Sequence, residues 1–368
     1  MTDCLIVGGG LIGMLTAKEL HDAGMTVTLL EAGRIGRESS WAGGGILSPL
    51  YPWRYPNPVT ALARWSQQAY PELAARLTRE SGIDPQLTPS GLLILEPEDF
   101  DQALIWSRDQ SHALSLIDKQ EIAACEPALN HPSKQALWMP HIGQIRNPRL
   151  VKALYASCGE GITLLQDQTV TRLLVEHGRI AGVTTGDTTY RAERVVICAG
   201  AWSGKLLKDL ASPPTIEPVH GQMIIFRHQP DRIRCITLHN ERYVIPRRDG
   251  RILVGSTLEY RGFDKATSKQ AKHALRDFAL DHFPELTTTE IEHHWSGLRP
   301  GSPSGIPYIG PIPQVSGLYI NAGHFRNGVV LGPASCRLIA DIVLGRSPIL
   351  PPEPYSVMAP RDTQAPYP

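Results

Sequence analysis

The sequence predicts an α/β fold, and three features carry that prediction. Within residues 4–31 a short apolar run, a glycine-rich turn, a helical stretch and a second apolar run follow one another. Two later apolar runs, 194–198 and 317–322, each lead into a turn of small residues. Between these blocks, period-2 stretches mark a further sheet: Gly91-Leu92-Leu93-Ile94-Leu95, Gln222-Met223-Ile224-Ile225-Phe226 and Arg251-Ile252-Leu253-Val254-Gly255.

Taken in order, Cys4-Leu5-Ile6-Val7 reads as a strand buried on both faces, because its apolar run is continuous rather than alternating. Gly8-Gly9-Gly10-Leu11-Ile12-Gly13 follows at once, then a helix carrying Leu15, Ala17 and Leu20, a stop at Gly24, and a second strand, Met25 to Leu30, ending in Glu31. Gly8 permits the tight turn, Gly10 lets main chain approach a pyrophosphate, and Gly13 lets the helix sit close on the strands. The helix N-terminus offers free N–H groups to phosphate, and Glu31 has the spacing of an acid that accepts from an adenosine ribose. This unit predicts a dinucleotide site.

Composition agrees with a globular protein. The chain has 368 residues, 36 Lys+Arg against 36 Asp+Glu, 42% hydrophobic and 20% charged. At roughly 100–200 residues per domain, that length allows two or three domains. Zero net charge argues against a surface built for nucleic acid or an anionic membrane. Six cysteines lie far apart with no C-x-x-C, so a disulfide framework, a zinc cluster and a dithiol centre lack support. Scattered thiols of this kind fit a reducing, cytoplasmic setting. No apolar run reaches the ~18 residues of a membrane span. The apolar stretch from Cys4 to Leu15 lacks the basic flank of a secretory signal and is broken by glycines. His293-His294 does not read as a metal pair, since neighbours on a strand face opposite ways; no metal is expected.

Other segments choose the dinucleotide. After Ala32, the run Ser39-Ser40-Trp41-Ala42-Gly43-Gly44-Gly45-Ile46 lets main chain lie along a flat ligand, with two hydroxyls available to phosphate. Arg194 to Trp202 reads as a strand entering the turn Ala199-Gly200-Ala201-Trp202. Gly317 to Gly328 reads as a strand and a glycine-flanked turn that opens a helix from Val329 to Leu344. The positive end of that helix suits the N1/C2=O edge of a flavin, where charge gathers on reduction. An adenine half at the start and a flavin cradle near the end point to FAD, and no second G-x-G-x-x-G supports a separate nicotinamide domain.

On these residues, with Tyr243-Val244-Ile245-Pro246-Arg247, Trp295-Ser296-Gly297-Leu298-Arg299-Pro300-Gly301 and Gly323-His324-Phe325-Arg326-Asn327-Gly328, nearly the whole chain resembles the D-amino-acid oxidase superfamily of FAD-dependent amine oxidases. It is most similar to the glycine-oxidising branch of the bacterial thiamin pathway. The resemblance implies a two-domain, Rossmann-like FAD fold with an inserted substrate domain on a large mixed β-sheet. The FAD domain would comprise 1–84, 142–212 and 296–368, and the substrate domain 85–141 and 213–295. The tail from Pro351 reads as an irregular arm.

The resemblance also implies roles. Arg299 would grip the substrate carboxylate with its guanidinium fork, which a lysine point charge cannot imitate. Tyr243 would add a hydroxyl contact, and Arg326 would lie near the amine, acting through its backbone carbonyl. Cofactor contacts are expected from Gly8, Gly10, Leu11, Ile12, Gly13, Glu31, Ala32, Ser39, Ser40, Gly44, Gly45, Ile46, Val170, Ala199, Gly200 and Trp202, and again from Gly323 through Val329. His324 reads as a flavin-contacting or packing residue rather than a general base. The related sarcosine oxidases use a cysteine between the equivalents of Trp295 and Pro313; none lies there, so FAD would be non-covalent. The loop 47–56 either narrows the entrance with its aromatic rings or packs beneath a lid. The implied reaction is oxidation of glycine, sarcosine or small D-amino acids by hydride transfer to flavin N5, with O2 as acceptor, in a homo-oligomer, tetrameric by resemblance. A dehydrogenase passing electrons to a quinone, and a non-catalytic flavin-binding subunit, are the alternatives.

Overall fold

The computed structural model describes residues 2–361. Its first sheet has six strands in the order Tyr308–Pro311, Leu318–Ala322, Val195–Ile197, Cys4–Val7, Val27–Leu30 and Ile162–Leu165. The inner strands run parallel, with Leu5 opposite Val195 and Cys4 opposite Val27, and every residue of Cys4–Val7 and Val27–Leu30 is buried. Only Tyr308–Pro311 is antiparallel. Helices Leu11–Asp22, Asn57–Ser81 and Gly328–Leu344 cover one face, and a three-stranded meander over Arg172–Arg191 lies in the segment between Ile162–Leu165 and Val195–Ile197.

The apolar runs of the sequence therefore become the centre of a parallel sheet, the setting in which strands are covered on both faces. Gly13 is required by the same packing. A Cβ there would stand 1.9 Å from the Gly8 carbonyl oxygen, so only glycine lets the first helix settle on the first strand.

The second sheet has eight strands, ordered Ile291–Gly301, Glu217–Arg227, Arg251–Gly255, Arg242–Pro246, Ile236–His239, Leu92–Leu95, Gln135–Met139 and Ser115–Asp118. It is mixed, since Ile236–His239 pairs in parallel with Leu92–Leu95 while its other pairings are antiparallel. Its three period-2 stretches are strands, as expected. The long strand Ile291–Gly301 runs unbroken through residues 295 and 296, where a domain boundary was expected, and pairs along its length with Glu217–Arg227.

Two further segments are placed by the structure. Phe325–Leu344 is the one helical stretch among the described residues long and apolar enough to cross a membrane, and 72% of its apolar window is buried inside the protein. Arg326, Arg337 and Asp341 interrupt the apolar run in sequence without stopping the helix. The tail beyond Pro351 is also well anchored as far as it is described. Tyr355 is buried and donates to the Pro58 carbonyl at 2.8 Å, and the Arg361 guanidinium lies 3.8 Å over the Tyr308 ring. Residues 362–368 of that arm lie outside the described residues.

Candidate active site

A single cavity of ≈ 850 Å³ begins at the first glycine turn and ends on the eight-stranded sheet. At its first end, Gly8 has φ +112°, and a Cβ there would meet the Cys198 carbonyl oxygen at 2.4 Å. Glu31 closes the turn from the next strand, accepting from the Gly9 N–H at 2.6 Å and the Gly33 N–H at 2.9 Å. Ser40 Oγ accepts from the Leu11 N–H at 2.8 Å, satisfying one of the donors that a helix start leaves unpaired. Ser39, in the short helix Ser39–Ala42, donates to the Leu298 carbonyl, so its hydroxyl ties that helix to the eight-stranded sheet.

Of the expected cofactor residues, Gly8, Gly10, Leu11, Ile12, Glu31, Ala32, Ser39, Ser40, Gly44, Gly45 and Ile46 all line this cavity. So do Val170, Ala199, Gly200, Trp202, and His324 through Val329. Gly13 and Gly323 do not; Gly13 serves helix packing, and Gly323, at φ +87°, makes the turn into the helix start.

The helix Gly328–Leu344 points its N-terminus at the cavity. Asn327 Nδ2 and Asn321 Oδ1, on two lining residues, are buried without a hydrogen-bond partner among the described residues. Buried amides are seldom left unpaired, so a polar ligand fits here. A dinucleotide with a flavin end meets both requirements: glycines that let main chain approach it, and unpaired amides with a positive helix end to receive a polar ring edge. FAD would be held by the Gly8–Gly10 turn and Glu31 at one end, and by Gly44, Gly45 and the 324–329 turn at the other.

At the far end Arg299, Tyr243 and Arg326 line the same cavity. Arg299 projects from the strand Ile291–Gly301. It donates from Nη1 to the His220 carbonyl at 3.2 Å and from Nη2 to Ser256 Oγ at 2.7 Å. Burial lowers its pKa from 12.5 to about 10, so it stays charged at neutral pH. Tyr243 rises from Arg242–Pro246 between two glycines. A Cβ on Gly44 would lie 3.3 Å from the Tyr243 hydroxyl, and one on Gly255 would lie 2.9 Å from its ring. The Arg326 guanidinium turns away toward Glu241, 3.5 Å from that carboxylate.

His324 is buried and hydrogen-bonds Ser335 Oγ at 3.0 Å; burial alone lowers its pKa from 6.5 to about 3. An imidazole so reluctant to accept a proton is a poor general base. In the 47–56 loop, Ser48 and Leu50 line the cavity, whereas the rings of Tyr51 and Trp53 pack onto the eight-stranded sheet. Trp53 and Arg54 both hold Asp99, at 2.7 Å. His293 and His294 differ in exposure on their strand, and His294 bonds Gln222 at 3.1 Å.

Several neighbours were not legible in the sequence. Gly221 lies diagonally across the strand pair from Arg299, and a Cβ there would fall 2.2 Å from Nη1. Ser256 supports the guanidinium, and Met223 lines the pocket beside Tyr243. Arg247 is buried and donates to the Gly44 carbonyl at 2.6 Å, fixing the small-residue run against the cavity. The block Tyr243-Val244-Ile245-Pro246-Arg247 contained the only signal for Arg247; register supplies the rest.

The chain matches the FAD dependent oxidoreductase family (DAO) over residues 3–342. It is 49% identical over 354 residues to the glycine oxidase of Pseudomonas aeruginosa, spanning 96% of this chain and 97% of that protein. It is 31% identical over 361 residues to the bifunctional protein ThiO/ThiG of Synechocystis, spanning 95% of this chain and 53% of that protein. The crystal structure of glycine oxidase from Geobacillus kaustophilus superposes with a TM-score of 0.92 at 30% identity, covering 97% of this chain and 98% of that one.

Proposed function

From the premise that this chain belongs to the FAD-dependent oxidoreductase family and is an FAD-dependent amine oxidase, we propose that it oxidises glycine and similar small amines. The observation that carries the substrate is Arg299 and Tyr243 in one cavity with the Gly8–Glu31 turn and the 324–329 helix start. FAD, when bound, accepts the hydride from the substrate Cα.

The chain's own residues do the rest. Arg299 meets the substrate carboxylate with a charged fork, already oriented by Ser256 and the His220 carbonyl. Tyr243, wedged between Gly44 and Gly255, places a hydroxyl beside that carboxylate. The Arg326 guanidinium is held by Glu241, and the main-chain carbonyl of Arg326 is the group that accepts from the amine. With O2 and water the products are glyoxylate, ammonia and hydrogen peroxide.

The remaining parts of the reading follow from it. Release as iminoglycine would supply thiamin thiazole synthesis, a role supported by the ThiO/ThiG relatives. The division into a FAD domain (1–84, 142–212, 296–368) and a substrate domain (85–141, 213–295) is supported by the two separate sheets, with the strand Ile291–Gly301 crossing from one part to the other. A cytoplasmic location is supported by six free cysteines. Assembly as a homo-oligomer, a tetramer, rests on the resemblance.

The test is a panel of glycine, sarcosine and D-alanine, read as bleaching of the yellow protein under nitrogen and as peroxide in air. Glycine bleaches it and yields peroxide under this reading. Bleaching by none of the three refutes the substrate class, and dye reduction without peroxide makes the enzyme a dehydrogenase instead.

A further inference from the structure

Away from the cavity, three histidines from three separate segments converge. His131 lies in the loop before strand Gln135–Met139, His239 ends strand Ile236–His239, and His282 ends helix Lys269–His282. One ring nitrogen from each lies within 4.8 Å of the other two. Their ring centroids stand 4.7, 4.8 and 5.0 Å apart, nearly an equilateral triangle. None of the three lines the active-site cavity.

The spacing suits a shared ion. Two imidazoles on one zinc, each at about 2.0–2.1 Å, hold their nitrogens about 3.3 Å apart in tetrahedral geometry. His239 Nδ1 and His282 Nε2 are 2.9 Å apart, within a few tenths of an ångström of that spacing, and the His131 nitrogen lies within 4.8 Å of both, so the 126–134 loop closes in to complete the site. The outer nitrogens are also arranged. His282 Nδ1 bonds the Phe278 carbonyl at 2.7 Å, which fixes the tautomer whose Nε2 lone pair faces the cluster. Ser133 holds His131 Nδ1 through its Oγ, at 2.6 Å, and its N–H, at 3.3 Å. The outward bond of His282 Nδ1 is the usual support of a ligating histidine.

We propose that His131, His239 and His282 bind one divalent transition-metal ion of the zinc class, with solvent completing its coordination at the two half-buried histidines. Three imidazoles without a carboxylate select zinc or its first-row neighbours over magnesium or calcium. A bound ion would tie the end of helix Lys269–His282 and the 126–134 loop to the hairpin that carries Glu241 and Tyr243 at the active site.

The test uses tag-free, metal-stripped holoprotein titrated with Zn2+ against a chromophoric chelator, and with Co2+ read by its visible absorption beyond the flavin bands. The native chain takes up one equivalent of Zn2+, and His131→Ala and His239→Gln each weaken it at least about tenfold. FAD content, measured on each variant, stays at the native level. Absence of Zn2+ binding by the native chain at micromolar metal overturns the proposal, and so does undiminished binding in both variants. His131 lies on a half-buried loop, so its alanine variant folds where a core substitution could fail.

Discussion

Replacing Gly221 by alanine tests the substrate anchor without touching it. The added Cβ would fall 2.2 Å from Arg299 Nη1, 2.3 Å from Nη2 and 2.5 Å from the guanidinium carbon, where ordinary contact begins at 3.4 Å. The strand at Gly221 is held by its pairing with Gly297, so the flexible arginine must give way. Restoring contact moves the guanidinium by about 1 Å, and a misplacement of that size costs about 100-fold in rate. That is about 2.7 kcal/mol of transition-state binding. The retreat also breaks the 2.7 Å bond to Ser256, so the fork loses orientation as well as position. The assay is kcat/KM for glycine by peroxide release, with flavin content and melting temperature measured on the same preparation. A drop of about 100-fold with normal flavin content is expected. A kcat/KM within about threefold of the parent would mean that Arg299 does not hold the substrate, and the placement argument would fail.

Four further outcomes follow from the same geometry. Arg299→Ala retains FAD but raises KM for glycine at least about tenfold, or ~1.4 kcal/mol; an unchanged KM removes Arg299 from the site. Ser256→Ala raises KM by a smaller factor, about three- to tenfold, because one oriented hydrogen bond to a charged group is lost while the charge remains. Gly8→Ala purifies without flavin, since its φ of +112° and a Cβ 2.4 Å from the Cys198 carbonyl close the turn; a yellow variant would contradict this. Acetate, a carboxylate with no amine, inhibits competitively around neutrality, where the buried Arg299 guanidinium keeps its charge although burial lowers its pKa; acetate that does not compete with glycine points to another anchor.

The parts of the molecule legible in the sequence are those whose signal is local. Cys4–Val7, Val27–Leu30 and Val195–Ile197 are continuous apolar runs because a central parallel strand is covered on both faces. Ile162–Leu165 lies at the edge of that sheet with mixed burial, and its pattern does not stand out. The same contrast holds at the site. Gly8, Glu31 and Arg299 are embedded in motifs, whereas Gly221, Ser256 and Met223 act only through strand register, which is a property of pairs distant in sequence. Ser39 also carries a contact that its sequence setting does not signal: its hydroxyl bonds the Leu298 carbonyl of the eight-stranded sheet. The triad of His131, His239 and His282 has no sequence spacing at all, because three unrelated segments bring it together.

The Ser39–Leu298 bond has a mechanical meaning. It fastens the cavity-lining segment at Ser39 and Ser40 to the residue immediately before Arg299, while Ser40 accepts from the Leu11 N–H at the start of the first helix. Occupancy at one end of the cavity would thereby be felt at the other through two adjacent serines. A carboxylate held by Arg299 should slow the escape of flavin, and protein stripped of flavin should grip carboxylates poorly. The two ligands would guard each other's residence, although neither needs to touch the serines that connect them.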